Sequence, residues 1–353
     1  MDSITQAVLG ATIQGALLGR WQGRKALLYG AALATVPDLD VFIDYGDAVA
    51  EMTHHRGFSH SLFVLSALAI ALTALLRLKP HPGYSSGRLF ITLWLVLITH
   101  PLLDAFTSYG TQLFWPFTPP PVAWSTIFII DPLYTVPLLL AVILGLALGL
   151  EDKKPRLPMA ALTVSTLYLA FSVTGKWMAE NRVEQQLQAN GIQPEAIFSS
   201  PTPLNTLLWR VTVMDGDRYH ESMVSWFDTE PPILQTLPSG EELRPALEAS
   251  PQWHRLAWFT SNILRYDEVD GRLLVTDLRL GMTGYHPFRF PMAQRDAVGH
   301  WQMIDHVERE PTYRGGAEQL RLIWQRIWSQ SPELPLQRWA APMAGGETVE
   351  QES

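Results

Sequence analysis

The sequence predicts an all-α polytopic membrane helical bundle followed by a soluble, mainly antiparallel α+β domain. Three observations carry that prediction. Long apolar runs dominate the chain up to about residue 175. Beyond that point charged residues, prolines and tryptophans are interspersed as in a water-soluble domain. Within this second half, two alternating apolar–polar segments are each centred on an Asp-Gly dipeptide. The mean hydropathy of +0.06 averages these unlike halves. The expected layout is a membrane bundle over 1–175, an α+β domain over 176–340 and a disordered tail over 341–353.

Composition narrows the chemistry. A net charge of -8 over 353 residues offers no surface for nucleic acid, and no nucleic-acid partner is expected. Cysteine is absent, so disulfides and thiolate metal sites are excluded, and any metal is held by His, Asp or Glu.

A helix crosses the hydrocarbon with about 20 apolar residues. Residues 61–78, 89–107, 127–150 and 157–175 approach that length, and the shorter runs 3–19 and 26–43 read as a closely packed pair. The first of these, SITQAVLGATIQGALLG, is rich in small residues that let helix backbones approach in a bilayer. It lacks a basic leader, so a cleaved signal peptide is not expected. Positive charge alternates between loops: Arg20, Arg24 and Lys25; then Arg77, Lys79 and Arg88; then Lys153, Lys154 and Arg156. Those loops are expected on the cytoplasmic side. The intervening loops, 44–60 and 108–126, contain only Arg56, which places them outside together with everything after residue 175. A soluble all-helical protein would not explain that alternation.

The ionisable residues of the apolar half gather at the outward end. Asp38 and Asp40 lie in VPDLD, where Pro37 loosens the helix. His55, Arg56 and His60 lie in HHRGFSH, and His100 and Asp104 are four apart on one helical face. Charges in lipid are costly and are functional candidates by default. His and carboxylate ligands without Cys suit zinc, or manganese as an alternative. Asp38, Asp40, His55, His60, His100 and Asp104 are the candidate metal ligands. A metal with an open coordination position supports hydrolysis by activating water. Arg56 is the candidate catalytic residue, a planar charged fork for a phosphate, a carboxylate or an anionic transition state. Other readings stay open. His100 and Asp104 could form a buried pair between helices, Asp40 could cap a helix, and Ser59 or Ser61 reads as an N-cap rather than a nucleophile. His54 reads as a bystander, Asp131 as a first-turn residue complementing a helix dipole, and His81 lies on the other side.

MDSITQ, PDLD, HRGFSHS and HPLLDAFTSYGTQLFWPF together resemble the YdjM-type family of inner-membrane metal-dependent hydrolases, over roughly residues 1–150. The resemblance implies a metal site of Asp38, Asp40, His55, His60, His100 and Asp104 with Arg56 adjoining. It also implies location in a bacterial inner membrane. Many relatives carry His where this chain has Gln6, which implies a contact missing or replaced here. The family is described as linked to LexA, but no basic patch or recognition helix expresses DNA binding in this chain.

In the second half, KWMAENRVEQQLQANGI is helical in pattern and FSSPTPLN is punctuated by proline. LLWRVTVMDGDRYHESMVSWF and YDEVDGRLLVTDLRLGM read as hairpins, with further strands in FRFPMAQ and WQMIDHVE. AEQLRLIWQRIW is an amphipathic helix with Leu320, Ile323, Trp324 and Ile327 on one side, for packing on the sheet or the membrane surface. Trp209, Trp226, Trp253 and Trp258 read as core rather than as a sugar platform. His220, His254, His286, His300 and His306 lack ligand spacing.

The expected protein is therefore an integral, multi-pass inner-membrane hydrolase with a periplasmic C-terminal domain and membrane lipids around it. Metal-activated water attacks an ester or phosphoester, with a lipid or lipid-linked substrate as the reachable class. The rival expectation is a non-catalytic scaffold or transporter using the same ligands.

Overall fold

The computed structural model describes residues 1–78, 83–150, 156–311 and 315–345. Lys79, His81, Lys153, Lys154 and the last part of the expected tail, 346–353, lie outside the described residues. The chain divides into two compact units. The first comprises Met1–Asp44, His54–Val173 and Pro203–Asn205; the second comprises Tyr45–Thr53, Thr174–Thr202 and Thr206–Ser353.

The N-terminal region is helical. Its elements are α1 (Ser3–Gln22), α2 (Lys25–Ala34), α3 (Ala48–His54), α4 (Leu62–Leu76), α5 (Ser86–Ala105), α6 (Pro132–Leu148) and α7 (Arg156–Ala189). Asp2 caps α1 by accepting from Thr5 N, Ser61 caps α4 by accepting from Phe63 N and Val64 N, and Asp131 caps α6 through Leu133 N and Tyr134 N. Ser61, not Ser59, thus takes the capping role. Among the described residues two helices, α5 and α7, are long and apolar enough to cross a membrane; the bent pair 48–60 and 62–76, angled by 44°, would make a third. The expected span 26–43 is not one helix. α2 has ten residues, and Pro37 opens a 3-10 turn, Pro37–Phe42, that carries Asp38 and Asp40.

α1 and α2 meet through glycines. A Cβ on Gly30 would collide with the Gly10 carbonyl oxygen and stand 2.8 Å from Gln14 Cβ. No larger side chain fits this seam, which is the kind of contact that drives helix association where lipid removes the hydrophobic incentive. Around it Val8, Leu9 and Ile13 of α1 pack on Val96 and Leu103 of α5 and Leu138 of α6.

The C-terminal domain holds two four-stranded antiparallel sheets. The first is β1 (Ala196–Pro201), β2 (Leu208–Asp215), β3 (Arg218–Ser225) and β4 (Gln235–Pro238), in that order. The second is β5 (Leu264–Val269), β6 (Arg272–Asp277), β7 (Arg289–Arg295) and β8 (Trp301–Met303), also in chain order. Both expected hairpins form, β2–β3 and β5–β6. The second turns on Asp270 and Gly271, both at positive φ, 51° and 69°, as a two-residue type I′ turn demands. β1 falls on the stretch read as merely proline-punctuated, and its Pro201 ends the strand. β4 and the helix α8 (Pro251–Thr260), capped by Ser250, were not anticipated.

α7 continues into this second unit, where Ala179, Val183 and Leu187 pack on Trp209, Val211 and Val213. On α9 (Ala317–Trp328) the expected apolar face divides. Ile323 and Ile327 are buried against Leu208 and Met223, while Leu320 and Trp324 are exposed. Trp209 and Trp253 are core residues. Ala341–Ala344 form a 3-10 turn with Met343 buried, so ordered chain runs into the segment expected to be a tail.

Candidate metal centre

A sharp backbone turn in HHRGFSH brings the site together. Arg56 adopts φ 61°, unusual for a residue with a side chain, and a Cβ on the next residue, Gly57, would stand 2.8 Å from the His54 carbonyl oxygen. Three contacts hold Arg56 in this strained state. Its N–H donates to Asp40 Oδ2 (3.1 Å), its carbonyl accepts from Gln112 N (3.0 Å), and its guanidinium lies 4.8 Å over the Tyr109 ring. The turn then passes through Phe58–His60 into the Ser61 cap.

Asp38, His60, His100 and Asp104 converge, each offering one ligand atom within 4.8 Å of the others. Asp38 Oδ1 lies 3.5 Å from His60 Nε2 and 3.2 Å from His100 Nε2. Asp104 Oδ2 lies 3.2 Å and 3.5 Å from the same two nitrogens. This is the metal-ligand grouping among the described residues.

The far sides of both rings decide what these atoms are. His100 Nδ1 lies 2.6 Å from the carbonyl oxygen of Ala34, which can only accept, so Nδ1 carries the proton. Ser59 Oγ donates its one proton to Asp40 Oδ2 (2.7 Å), so it accepts from His60 Nδ1–H (2.9 Å). With the proton on Nδ1, each ring in its neutral form turns a lone pair, Nε2, toward the carboxylates. Four acceptors facing one another repel unless a cation lies between them. His60 Nε2 and Asp104 Oδ2 are indeed buried without a hydrogen-bond partner. Two carboxylates and two neutral imidazoles match the charge and donor preference of a divalent ion. The four His–Asp separations of 3.2–3.5 Å are close to the about 3.4 Å expected between neighbouring ligands set about 2.1 Å from an ion.

The other candidates occupy a layer outside this cluster. Asp40 accepts from His55 Nδ1 (3.0 Å), Ser59 and Arg56 N, and its nearest approach to His60 is 3.9 Å at Nδ1, the ring nitrogen away from the cluster. Asp40 and His55 thus hold the turn and orient His60. Arg56 donates from Nη1 to Thr107 Oγ1 (3.3 Å) and pairs through Nη2 with Asp104 Oδ1 (3.3 Å); its Nε is buried without a partner. The Met1 amino group also contacts Asp104 Oδ1. Gln6 Nε2 donates to the His100 carbonyl and to Asp104 Oδ1, both at 3.1 Å. Position 6 therefore belongs to the site as a support for the oxygen of Asp104 that faces away from the cluster. Ser59, Thr107 and Tyr109 were missed as site residues, because hydroxyl spacing in sequence carries no signal for a contact made across a turn.

The geometry describes a helical apolar unit with a His/Asp cluster that could hold a metal ion. The YdjM inner membrane protein family matches residues 1–179, and the chain belongs to that family. It is 25% identical over 312 residues to the uncharacterized protein YfhP of Bacillus subtilis (strain 168), covering 82% of this chain and 89% of that protein. It is 33% identical over 92 residues to the inner membrane protein YbcI of Escherichia coli (strain K12), covering 26% of this chain and 52% of that protein. No solved structure matches the chain.

Proposed function

We propose that this protein is an inner-membrane hydrolase that cleaves an ester or phosphoester with a divalent metal held by Asp38, His60, His100 and Asp104. The observation that carries the reading is the convergence of two imidazole lone pairs and two carboxylates, with both ring protons fixed on the opposite side. Held by these four residues, a divalent ion would supply the chemistry of acidifying water and polarising the scissile group. The surrounding residues do the rest. Asp40 and Ser59 hold His60 in the tautomer that faces the cluster. Gln6 and Arg56 hold Asp104 by its other oxygen. Arg56 keeps a permanent positive charge beside the ligands, and its unpaired Nε–H is the donor left to meet an anionic substrate oxygen.

Zinc and manganese give different outcomes with this ligand set. With Asp38, His60, His100 and Asp104 all bound, zinc would have no position left for water, whereas an ion of higher coordination number such as manganese would leave room for water and substrate. A metal-stabilised scaffold is the second reading, favoured by the burial of His60, His100 and Asp104. The alternation of basic loops along the sequence supports a periplasmic C-terminal domain as part of the same reading.

Metal analysis of the detergent-purified full chain should find about one divalent ion, lost in His60→Ala, His100→Ala and Asp104→Ala. Wild-type protein loaded with manganese should hydrolyse a model phosphodiester, and Arg56→Ala should lower that rate at least about tenfold. Retention of metal by the ligand variants removes the site. Bound metal without turnover of esters and phosphoesters favours the scaffold.

A further inference from the structure

Of the four converging side chains, only Asp38 reaches the surface: it is 23% exposed, against 0–1% for His60, His100 and Asp104. A substrate group that meets the cluster therefore passes Asp38. The surface at that doorway is apolar. Asp38 sits on the 3-10 turn Pro37–Phe42, where Leu39 is 55%, Val41 61% and Phe42 84% exposed, and Ile43 follows at 43%. Phe58, on the adjoining turn, is 42% exposed. In a chain of an inner-membrane family, the cover for such a collar is the bilayer. The same mouth has a polar side, because the half-buried His55 and Ser59 stand on Asp40 beside it. An apolar side and a polar side around one entrance match a molecule built in the same way.

We infer that the substrate is a membrane-resident amphiphile with an anionic phosphate or phosphonate-like head. The head passes Asp38 toward the metal and Arg56, while its hydrocarbon chain lies on the collar of Leu39, Val41, Phe42 and Ile43. The chemistry of the head rests on the metal-site reading above; the route through the collar does not.

The test uses the full chain in nanodiscs, loaded with manganese, and needs no turnover. Binding of methylphosphonate and dodecylphosphonate is measured calorimetrically, with the signal of empty discs subtracted. Dodecylphosphonate should bind at least about tenfold more tightly, and the double variant Val41→Ser, Phe42→Ser should reduce that advantage to about twofold or less with metal content unchanged. Equal affinities for the two ligands in wild type overturn the inference, as does a double variant that keeps the advantage. Because the chain has no cysteine, Phe42→Cys also takes a single nitroxide label. Power saturation should show that label shielded from a water-soluble relaxant and open to oxygen; a fully aqueous label overturns the placement of the collar. Loss of phosphodiester turnover with dodecylphosphonate selectivity intact would fault the hydrolase reading and leave this inference standing.

Discussion

Ser59 Oγ gives its proton to Asp40 and takes one from His60, so a single hydroxyl decides which imidazole nitrogen faces the cluster. Outer hydrogen bonds of this kind typically set metal affinity by 10- to 100-fold. Ser59→Ala should therefore weaken divalent-ion binding by about that factor, with Ser59→Thr close to wild type, in a metal-buffer competition assay; an unchanged affinity in the alanine variant would remove the relay. Residue type made the cluster legible, since His and Asp in an apolar half have few uses. Their ranking was not legible. Asp38 and Asp40 are two apart on a short 3-10 turn, and only backbone geometry sends one to the ligands and the other to Ser59 and His55. His55 and His60 likewise differ by the turn that Arg56 and Gly57 make between them.

At the scale of elements, the candidate metal centre depends on a helix seam that contains none of the four converging residues. The Gly10–Gly30 contact sets the position of α2, and the carbonyl of Ala34 at the end of α2 fixes the proton on His100. Gly30→Val should push α2 away and lower metal affinity at least about tenfold, although residue 30 touches no ligand. Metal content measured against Gly87→Ala, an α5 position where an added Cβ meets nothing within 4 Å, checks this. In the second unit His286 is buried and donates from Nδ1 to the Leu280 carbonyl (2.7 Å). Burial first, and then the charge of Arg210, lower its pKa from 6.5 to about 3. The unfolded chain binds this proton at higher pH than the folded one, so stability is full above about pH 6.5 and falls as the pH drops toward 3. The loss approaches about 1.4 kcal/mol per pH unit. His286→Gln should reduce the acid slope of unfolding by about one proton, measured by denaturant titration from pH 7 to 4. The hairpins were legible because an Asp-Gly pair between alternating runs is a local signal. β1, β4 and α8 were not: each is short, and none is marked by an Asp-Gly pair between long alternating runs.

For the whole molecule, two unlike halves were plain from composition, because lipid and water impose different residue usage along the chain. The number of crossings was harder to read, since α2 and α6 are apolar yet shorter than a bilayer requires on their own. The alternating basic loops favour an outward C-terminal domain: an alkaline phosphatase that is active only in the periplasm should be active when fused after Gly345, and an inactive fusion that is stably made would reverse the orientation. α7 also bears on how the protein can be divided. Its apolar start belongs to the first unit, and its last turns supply Ala179, Val183 and Leu187 to the core around Trp209. A fragment designed to express the sheets alone must therefore begin near Thr174; one started at Asn190 would strip the wall from Trp209 and go into inclusion bodies.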